Sequence, residues 1–399
     1  MGTFSQPGRV CDITSWGDDA GYQRENADSP KRDGLNELPD FFRPLAERAV
    51  YEQKRGLVLV TGNDVNLLIH NWLYGHSVHT TLFILSRRNE LLMEKTYWAP
   101  SIAGRCFLRE LGEDGGCRID PSGYATTKRH RDPAFWIGSS GNWGHWIADD
   151  LPKLAYLDMF PSLSDRSLVF DTLSPLQREC LDLMGIDAAR ILEVDSSPIH
   201  NEHQLFDDLA VPGLPPRVDS YDFVRSRLFA NITPCSGGAE RVYLSRSRLA
   251  PRSRVFNGEE VEDLFRKRGF AILHPETLSL RETLDMVHGA DILAAPLGAS
   301  MGCMALARPA AVHIHLVPER MLARAAHNPS DAAHLYYYLP FKDHMFFVMG
   351  AFNTPGQLEY AQRHQLRELD LPHLFEPSAL DIAILQAEKM ILTRKRGIA

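Results

Sequence analysis

The first 40 residues are polar, rich in Gly, Asp, Asn and Arg, and read as a poorly ordered N-terminal segment. The apolar runs LVLV (57–60) and TLFIL (81–85) predict short strands, whereas 100–130 shows no clear periodicity. AFWIG (134–138) predicts a strand running into the loop SSGN. A helix is predicted from about residue 143, and Pro152 must kink or divide it. Beyond it come a strand SLVF (167–170), a helical PLQRECLDLMGI, a strand ILEV (191–194) and a helical YDFVRSRLFANI (221–232). Strand, helix, strand, strand, helix make one α/β unit, giving a first domain over 41–232.

TPCSGGAE (233–240) has the Pro, Ser and Gly content of a linker. The strand RVYLS (241–245) follows, then Asn257 as an N-cap with Glu260 three residues on and Gly269 as the helix stop. FAILH (270–274) is the next strand, and Ser279 with Glu282 forms a full capping box for a helix that ends at Gly289. DILAAPL (291–297), a short helix ASMGCMALA and the strand AAVHIHLV (310–317) complete the pattern. Strands alternating with short helices imply right-handed crossovers and a parallel sheet, in a second domain over 241–377.

In such sheets ligands bind beyond the carboxyl ends of the strands. Those ends carry SRSR (245–248), HPET (274–277), PLGAS (296–300) and VPER (317–320). The last stretch, SALDIAILQAEKMILTRK (378–395), has apolar residues at 380, 383, 384, 387, 391 and 392. This amphipathic helix, in the segment 378–399, is expected to pack back on the first domain.

Composition narrows the class. The 399 residues suit two domains, and 44% apolar with 24% charged residues is ordinary for a soluble globular protein. No apolar run reaches the roughly 18 residues of a membrane helix, and MGTFSQPGRV lacks a signal peptide's apolar core. Six scattered cysteines form no C-x-x-C pair, which suits reduced thiols in a cytoplasmic protein. The net charge of −8 argues against a nucleic-acid partner. Five arginines, 241, 246, 248, 252 and 254, nevertheless lie in a stretch without an acid. A basic pocket on an acidic protein points to a small anion, because the guanidinium fork donates bidentately to phosphate.

PLGASMG (296–302) matches the G-x-S-x-G nucleophile elbow, which would make Ser300 the nucleophile of a serine hydrolase. The same stretch can be a glycine turn whose backbone approaches a phosphate. GNWGHWIADDLPKL (141–154) sets His145 and Asp149 four residues apart on one helix face, where a carboxylate can orient an imidazole for base catalysis. The alternative is a pair that satisfies two polar groups near a helix start. Trp143 and Trp146 are either core residues or a platform for a sugar ring. No H-x-x-x-H, H-E-x-x-H or D-x-D occurs, so no metal is expected, and His313 and His315 read as core.

Three stretches together resemble the family 61 glycosyltransferases. GNWGHWIADDLPKL is similar to the family's N-x-x-H-W-x-x-D-x-L-P, with His145, Trp146, Asp149, Leu151 and Pro152 in register. RVYLSRSRLAPRSRVFNGEEVEDLFRKRGF resembles its Y-[IL]-S-R … R-R … N-E-x-E, through Tyr243, Ser245, Arg246, Arg254, Asn257 and Glu260. DILAAPLGASMGCMALARP matches at Pro296, Gly298 and Ala299, and departs at Leu297 and Cys303. His315 is a further departure, standing where a strand-end Glu is common.

The resemblance implies two facing Rossmann-like domains of the GT-B type. It also implies an inverting transfer from a nucleotide sugar to a glycan acceptor, free or lipid-linked, in bacterial capsule, lipopolysaccharide or exopolysaccharide assembly. His145 and Asp149 would be base and orienter, or the reverse. Arg246, Arg248, Arg252 and Arg254 with Gly298, Ala299 and Ser300 would hold the donor, and Asn142, Trp143 and Trp146 would face the acceptor. No cofactor is implied. The expected place is the cytoplasm, with peripheral association at the inner membrane left open. A non-catalytic nucleotide- or glycan-binding protein is the alternative that the departures motivate, and a serine hydrolase the third.

Overall fold

A computed structural model of the chain describes residues 128–139, 141–194, 204–212, 220–232, 238–300, 302–319, 341, 344–366 and 370–397 with their side chains. At 9–12, 58–74, 77–85, 108–111, 117–119, 127, 202–203, 217–219 and 301 it describes the backbone alone. The N-terminal half contributes β1 (Arg9–Asp12), β2 (Val58–Tyr74), β3 (Ser77–Leu85), β4 (Leu108–Leu111), β5 (Cys117–Ile119) and β6 (Thr127–His130). β7 (Ala134–Trp136), β8 (Ser167–Asp171), β9 (Ile191–Val194) and β10 (Glu202–Pro212) follow. β4 and β5 pair with each other; the rest form one sheet in the order β1-β2-β10-β7-β8-β9, with β3 on β2 and β6 on β10. β7, β8 and β9 are parallel, whereas β10 runs antiparallel to β2, so this sheet is mixed.

Two features depart from the sequence pattern. β1 lies inside the segment expected to be poorly ordered, yet pairs in parallel with β2 from Arg9 opposite Val58 to Asp12 opposite Thr61. The other residues of 1–40, and 233–237 of the expected linker, lie outside the described residues. β10 was not predicted because Asp207 and Asp208 interrupt its apolar run. Both are matched: Arg129 Nε donates to Asp207 at 2.6 Å, and Arg166 holds Asp208 through both Nη atoms at 2.7 and 2.9 Å.

The helical run after β7 is divided, as Pro152 requires. α1 (Trp143–His145) passes into a π-helical turn, Trp146–Asp150, then a 3-10 turn, Leu151–Leu154, and α2 (Ala155–Met159). Proline has no N–H to return to the preceding turn, and the widened ring closes instead from Leu151 N to Trp146 O. α3 (Pro175–Leu183) starts at a Ser174–Gln177 capping box, and α4 (Arg217–Ala230) ends the half.

The second half alternates β11 (Arg241–Leu244), α5 (Gly258–Lys267), β12 (Ala271–Leu273), α6 (Leu280–Gly289), β13 (Ile292–Pro296), α7 (Ser300–Met304) and β14 (Val312–Pro318). A strand the pattern did not predict, β15 (Met345–Gly350), extends the sheet, which runs β12-β11-β13-β14-β15 and is parallel throughout. The Ser279 capping box forms, with Glu282 accepting from Ser279 N at 2.8 Å. Gly269 ends α5 with φ 76°. Asn257 does not cap α5. Its side chain turns to Phe375 instead, donating to Phe375 O at 2.8 Å and accepting from Phe375 N at 3.1 Å.

α8 (Pro355–Arg363) and α9 (Pro377–Lys395) close the chain. α9 packs on the second sheet, correcting the expectation that it crosses to the first domain. Leu380, Ala383, Ile384 and Ala387 join Val261, Phe265, Val312 and Ile314 in one core, and Asp381 takes both Nε and Nη2 of Arg268. The apolar stripe alone named no partner; the pairing of Asp381 with Arg268, just past the end of α5, helps to fix it. The two halves also meet directly. Leu280 and Leu284 of α6, with Ala305 and Leu306 after α7, share a buried cluster with Phe135, Trp146 and Phe170 of the first half.

Candidate active site

α1 and α7 touch through small residues. A Cβ built on Gly144 is 3.5 Å from Ala299 Cα, and one on Gly302 would be 2.9 Å from Trp143 Cδ1, inside contact distance. Gly302, the second glycine of G-x-S-x-G, therefore makes room for Trp143. Gly298, the first, has φ 141°, which only glycine adopts readily. Ser300 between them is buried, and its hydroxyl donates to Pro296 O at 2.8 Å. No His or carboxylate hydrogen-bonds to it among the described residues, so the hydrolase geometry is absent there.

His145 and Asp149 do meet. Nδ1 lies 2.8 Å from Asp149 Oδ2, and Asp149 is buried while His145 is partly open. A carboxylate acceptor makes Nδ1 the protonated nitrogen, which places the lone pair on Nε2. Asn142 caps α1, accepting from Gly144 N at 2.9 Å; it is exposed. Trp146 is fully buried against Phe170, with ring centroids 6.1 Å apart, so it is core and not an acceptor platform. The physical reason is the π turn, which rolls Trp146 inward beneath the sheet. Trp143 remains half-buried beside the Cys303 thiol, whose pKa burial pushes up to about 11.

Below this helix Lys153 is buried, donating to Asp150 at 3.0 Å and to Ile137 O at 2.5 Å. The ion pair ties the helical run to the end of β7, where Gly138 turns with φ 82°. The sequence pattern did not single out Lys153.

The arginines divide. Arg246 and Arg254 converge on Gly298: a Cβ there would meet Arg254 Nη1 at 2.8 Å and Arg246 Nη1 at 3.3 Å. Arg254 Nη1 donates to Leu297 O at 2.9 Å and Nη2 to Asp370 at 3.1 Å. Burial, and then the Arg254 charge, push the Arg246 pKa down to about 10. Arg248 and Arg252 are exposed, and only the Arg252 carbonyl reaches the cluster, accepting from Arg246 at 3.3 Å. Arg241 sits at the other end of β11, paired with Glu388 at 2.5 Å.

Glu262 and Asp370 were not singled out. Glu262 is buried and accepts from both Ser245 and Ser247 at 2.6 Å, clamping the residues on either side of Arg246. Its signal was a charge beside Val261 on the buried face of α5. Glu260, which the motif match selected, is exposed. Asp370 carried no local signal.

A cleft opens here, lined by Trp143, Arg246, Leu249, Glu276, Leu278 and Ser300 among others. Its walls come from both halves of the chain. His145, Arg254 and Gly298 are not among its lining residues, but Trp143 and Ala299, chain neighbours of His145 and Gly298, are. No group of three or more His, Cys, Asp or Glu is placed to hold a metal ion among the described residues. His313 and His315 are buried with Phe341.

The glycosyltransferase 61 family model matches residues 143–314, a span that opens at Trp143 and encloses His145, the arginines and the Gly298 turn. Over that span, somewhat under half of its length, the chain is similar to the family 61 glycosyltransferases. No curated protein matches it. Among solved structures, the chain is similar to the dodecameric iron-containing heptosyltransferase TibC in complex with ADP-D-beta-D-heptose. The identity is 11%, covering 64% of this chain and 74% of that one, with a TM-score of 0.28. TibC from enterotoxigenic E. coli H10407 matches at 12% identity over 64% and 73% of the two chains, with a TM-score of 0.26. No helix among the described residues is long and apolar enough to cross a membrane.

Proposed function

We propose that the enzyme transfers a sugar, with inversion, from a nucleotide sugar to a hydroxyl of a glycan acceptor in surface-polysaccharide assembly. The observation that carries this reading is the convergence of Arg246 and Arg254 on the Gly298 turn. Two half-buried cations against an open backbone turn suit a diphosphate, whose charge grows as the sugar leaves. The two sheets would then be facing Rossmann-like domains, with the donor on the second and the acceptor on the first.

In this mechanism His145 Nε2 takes the proton of the acceptor hydroxyl as its oxygen attacks the anomeric carbon. The bond from that carbon to the diphosphate oxygen breaks on the opposite face. Asp149 holds the Nδ1 proton and stabilises the imidazolium that forms. Arg246 neutralises the departing diphosphate, with no metal ion or cofactor. The acceptor, free or lipid-linked, enters past Trp143 and Asn142, in the cytoplasm.

Incubating the full chain with a panel of nucleotide sugars and following nucleoside diphosphate release tests the reading. Slow hydrolysis of one donor, accelerated by a glycan acceptor, is expected. Tight nucleotide binding with no turnover of any donor would favour a non-catalytic binding protein instead.

A further inference from the structure

Both terminal nitrogens of Arg254 are engaged, one with Leu297 O and the other with Asp370. Its backbone has φ 66°, a region that side-chain-bearing residues rarely adopt, so the surrounding fold holds it in place. The guanidinium fills the space where a Cβ of Gly298 would be. A trans peptide points its C=O and N–H in opposite directions, so gripping Leu297 O also fixes the direction of the Gly298 N–H.

Arg246 is situated differently. It lines the cleft, and its one hydrogen bond among the described residues is the 3.3 Å contact of Nη2 with Arg252 O. Its Nε is buried and has no hydrogen-bond partner among the described residues. Asp370 is buried, 4% exposed, and reaches this place from the connection between α8 and α9, 116 residues from Arg254 in sequence.

We infer that Asp370 is a positioning residue for anion binding: it anchors Arg254, Arg254 sets the Leu297–Gly298 peptide, and Arg246 is the cation that meets the phosphate. This rests on the nucleotide-sugar reading above. It assigns the two arginines different duties, and gives the C-terminal part of the chain a part in the donor site.

The sign of one substitution separates this from simple electrostatics. Asp370→Asn removes a negative charge from a basic site, so charge alone would tighten anion binding. Positioning demands the reverse, because Arg254 loses its anchor. The experiment titrates inorganic pyrophosphate and UDP into the parent, Asp370→Asn, Arg254→Lys, Arg254→Ala and the Arg254→Ala/Asp370→Asn double variant, with thermal unfolding of each. Asp370→Asn and Arg254→Lys should each weaken both probes about tenfold, as expected where a charge-assisted fork is lost. Lysine keeps the charge but has no fork to span Leu297 O and Asp370. In the Arg254→Ala background, Asp370→Asn should weaken binding no further, since the two act as one unit.

Binding by Asp370→Asn as tight as the parent's, or tighter, overturns the inference and leaves the nucleotide-sugar reading standing. So does parent-like binding by Arg254→Lys, which decides the matter if Asp370→Asn does not fold. A parent that binds neither probe overturns both.

Discussion

Gly302 lies against Trp143 so closely that an added Cβ would be 2.9 Å from Trp143 Cδ1 and 3.1 Å from Trp143 O. The contact joins α7 to α1, and with it the two conspicuous motifs of the chain. Gly302→Ala should push Trp143 toward the cleft and destabilise the fold by about 1–3 kcal/mol, the usual cost of overpacking. Urea unfolding and tryptophan fluorescence would show it. An unchanged midpoint and spectrum would mean the helices can part freely.

Arg246→Ala is expected to leave the fold intact and weaken nucleoside diphosphate binding about tenfold or more. Charge-assisted hydrogen bonds are worth roughly 1.5–3 kcal/mol. Calorimetry that finds the parent affinity in the variant would remove this arginine from the donor site.

Ser300→Ala should keep most transferase activity. Its hydroxyl is occupied by Pro296 O, and losing that bond costs about 1 kcal/mol of stability. Complete loss of turnover at unchanged donor affinity would return the nucleophile reading to contention.

For the base, His145→Gln and Asp149→Asn should each lower turnover by about 10² to 10⁴ while donor binding holds. With His145 as base and Asp149 as its orienter, the double variant should be little worse than either single. If Asp149 is the base, Asp149→Asn abolishes transfer and His145→Gln retains a measurable fraction. Normal turnover in both singles would make the pair structural.

Stability should depend on pH through His313. Burial first, then the charges of His344 and Arg225, push its pKa down to about 3; burial, and then the neighbouring His313, push that of His315 well below 6.5. The folded chain keeps both neutral, whereas the unfolded chain takes up protons below 6.5. Their contribution is therefore full above that pH and is lost as pH falls below it, because the unfolded chain then binds protons that the folded chain does not. His313→Phe, beside Phe341, should flatten the slope by one proton. Denaturant midpoints at neutral pH and at about pH 5 for both proteins would measure it.

Much of this frame is legible locally. β-branched runs, the Ser279 capping box and the Gly269 stop place β11 to β14 and their helices, because each signal acts within a few residues. The i, i+4 spacing of His145 and Asp149 is likewise enough to bring them together, even through a π turn. The glycines of 298–302 announce an unusual turn, but not its reason.

What tertiary structure decided involves partners far apart in sequence. Asp207 and Asp208 conceal β10 until Arg129 and Arg166 arrive to match them. Asn257 abandons its cap because Phe375 offers both a donor and an acceptor. The arginine cluster looks uniform along the chain, and only the approach of Gly298 and Asp370 separates Arg246 and Arg254 from the exposed Arg248 and Arg252. Periodicity reports which face of an element is apolar; it carries no record of which distant charge will lie opposite, and here that choice builds the site.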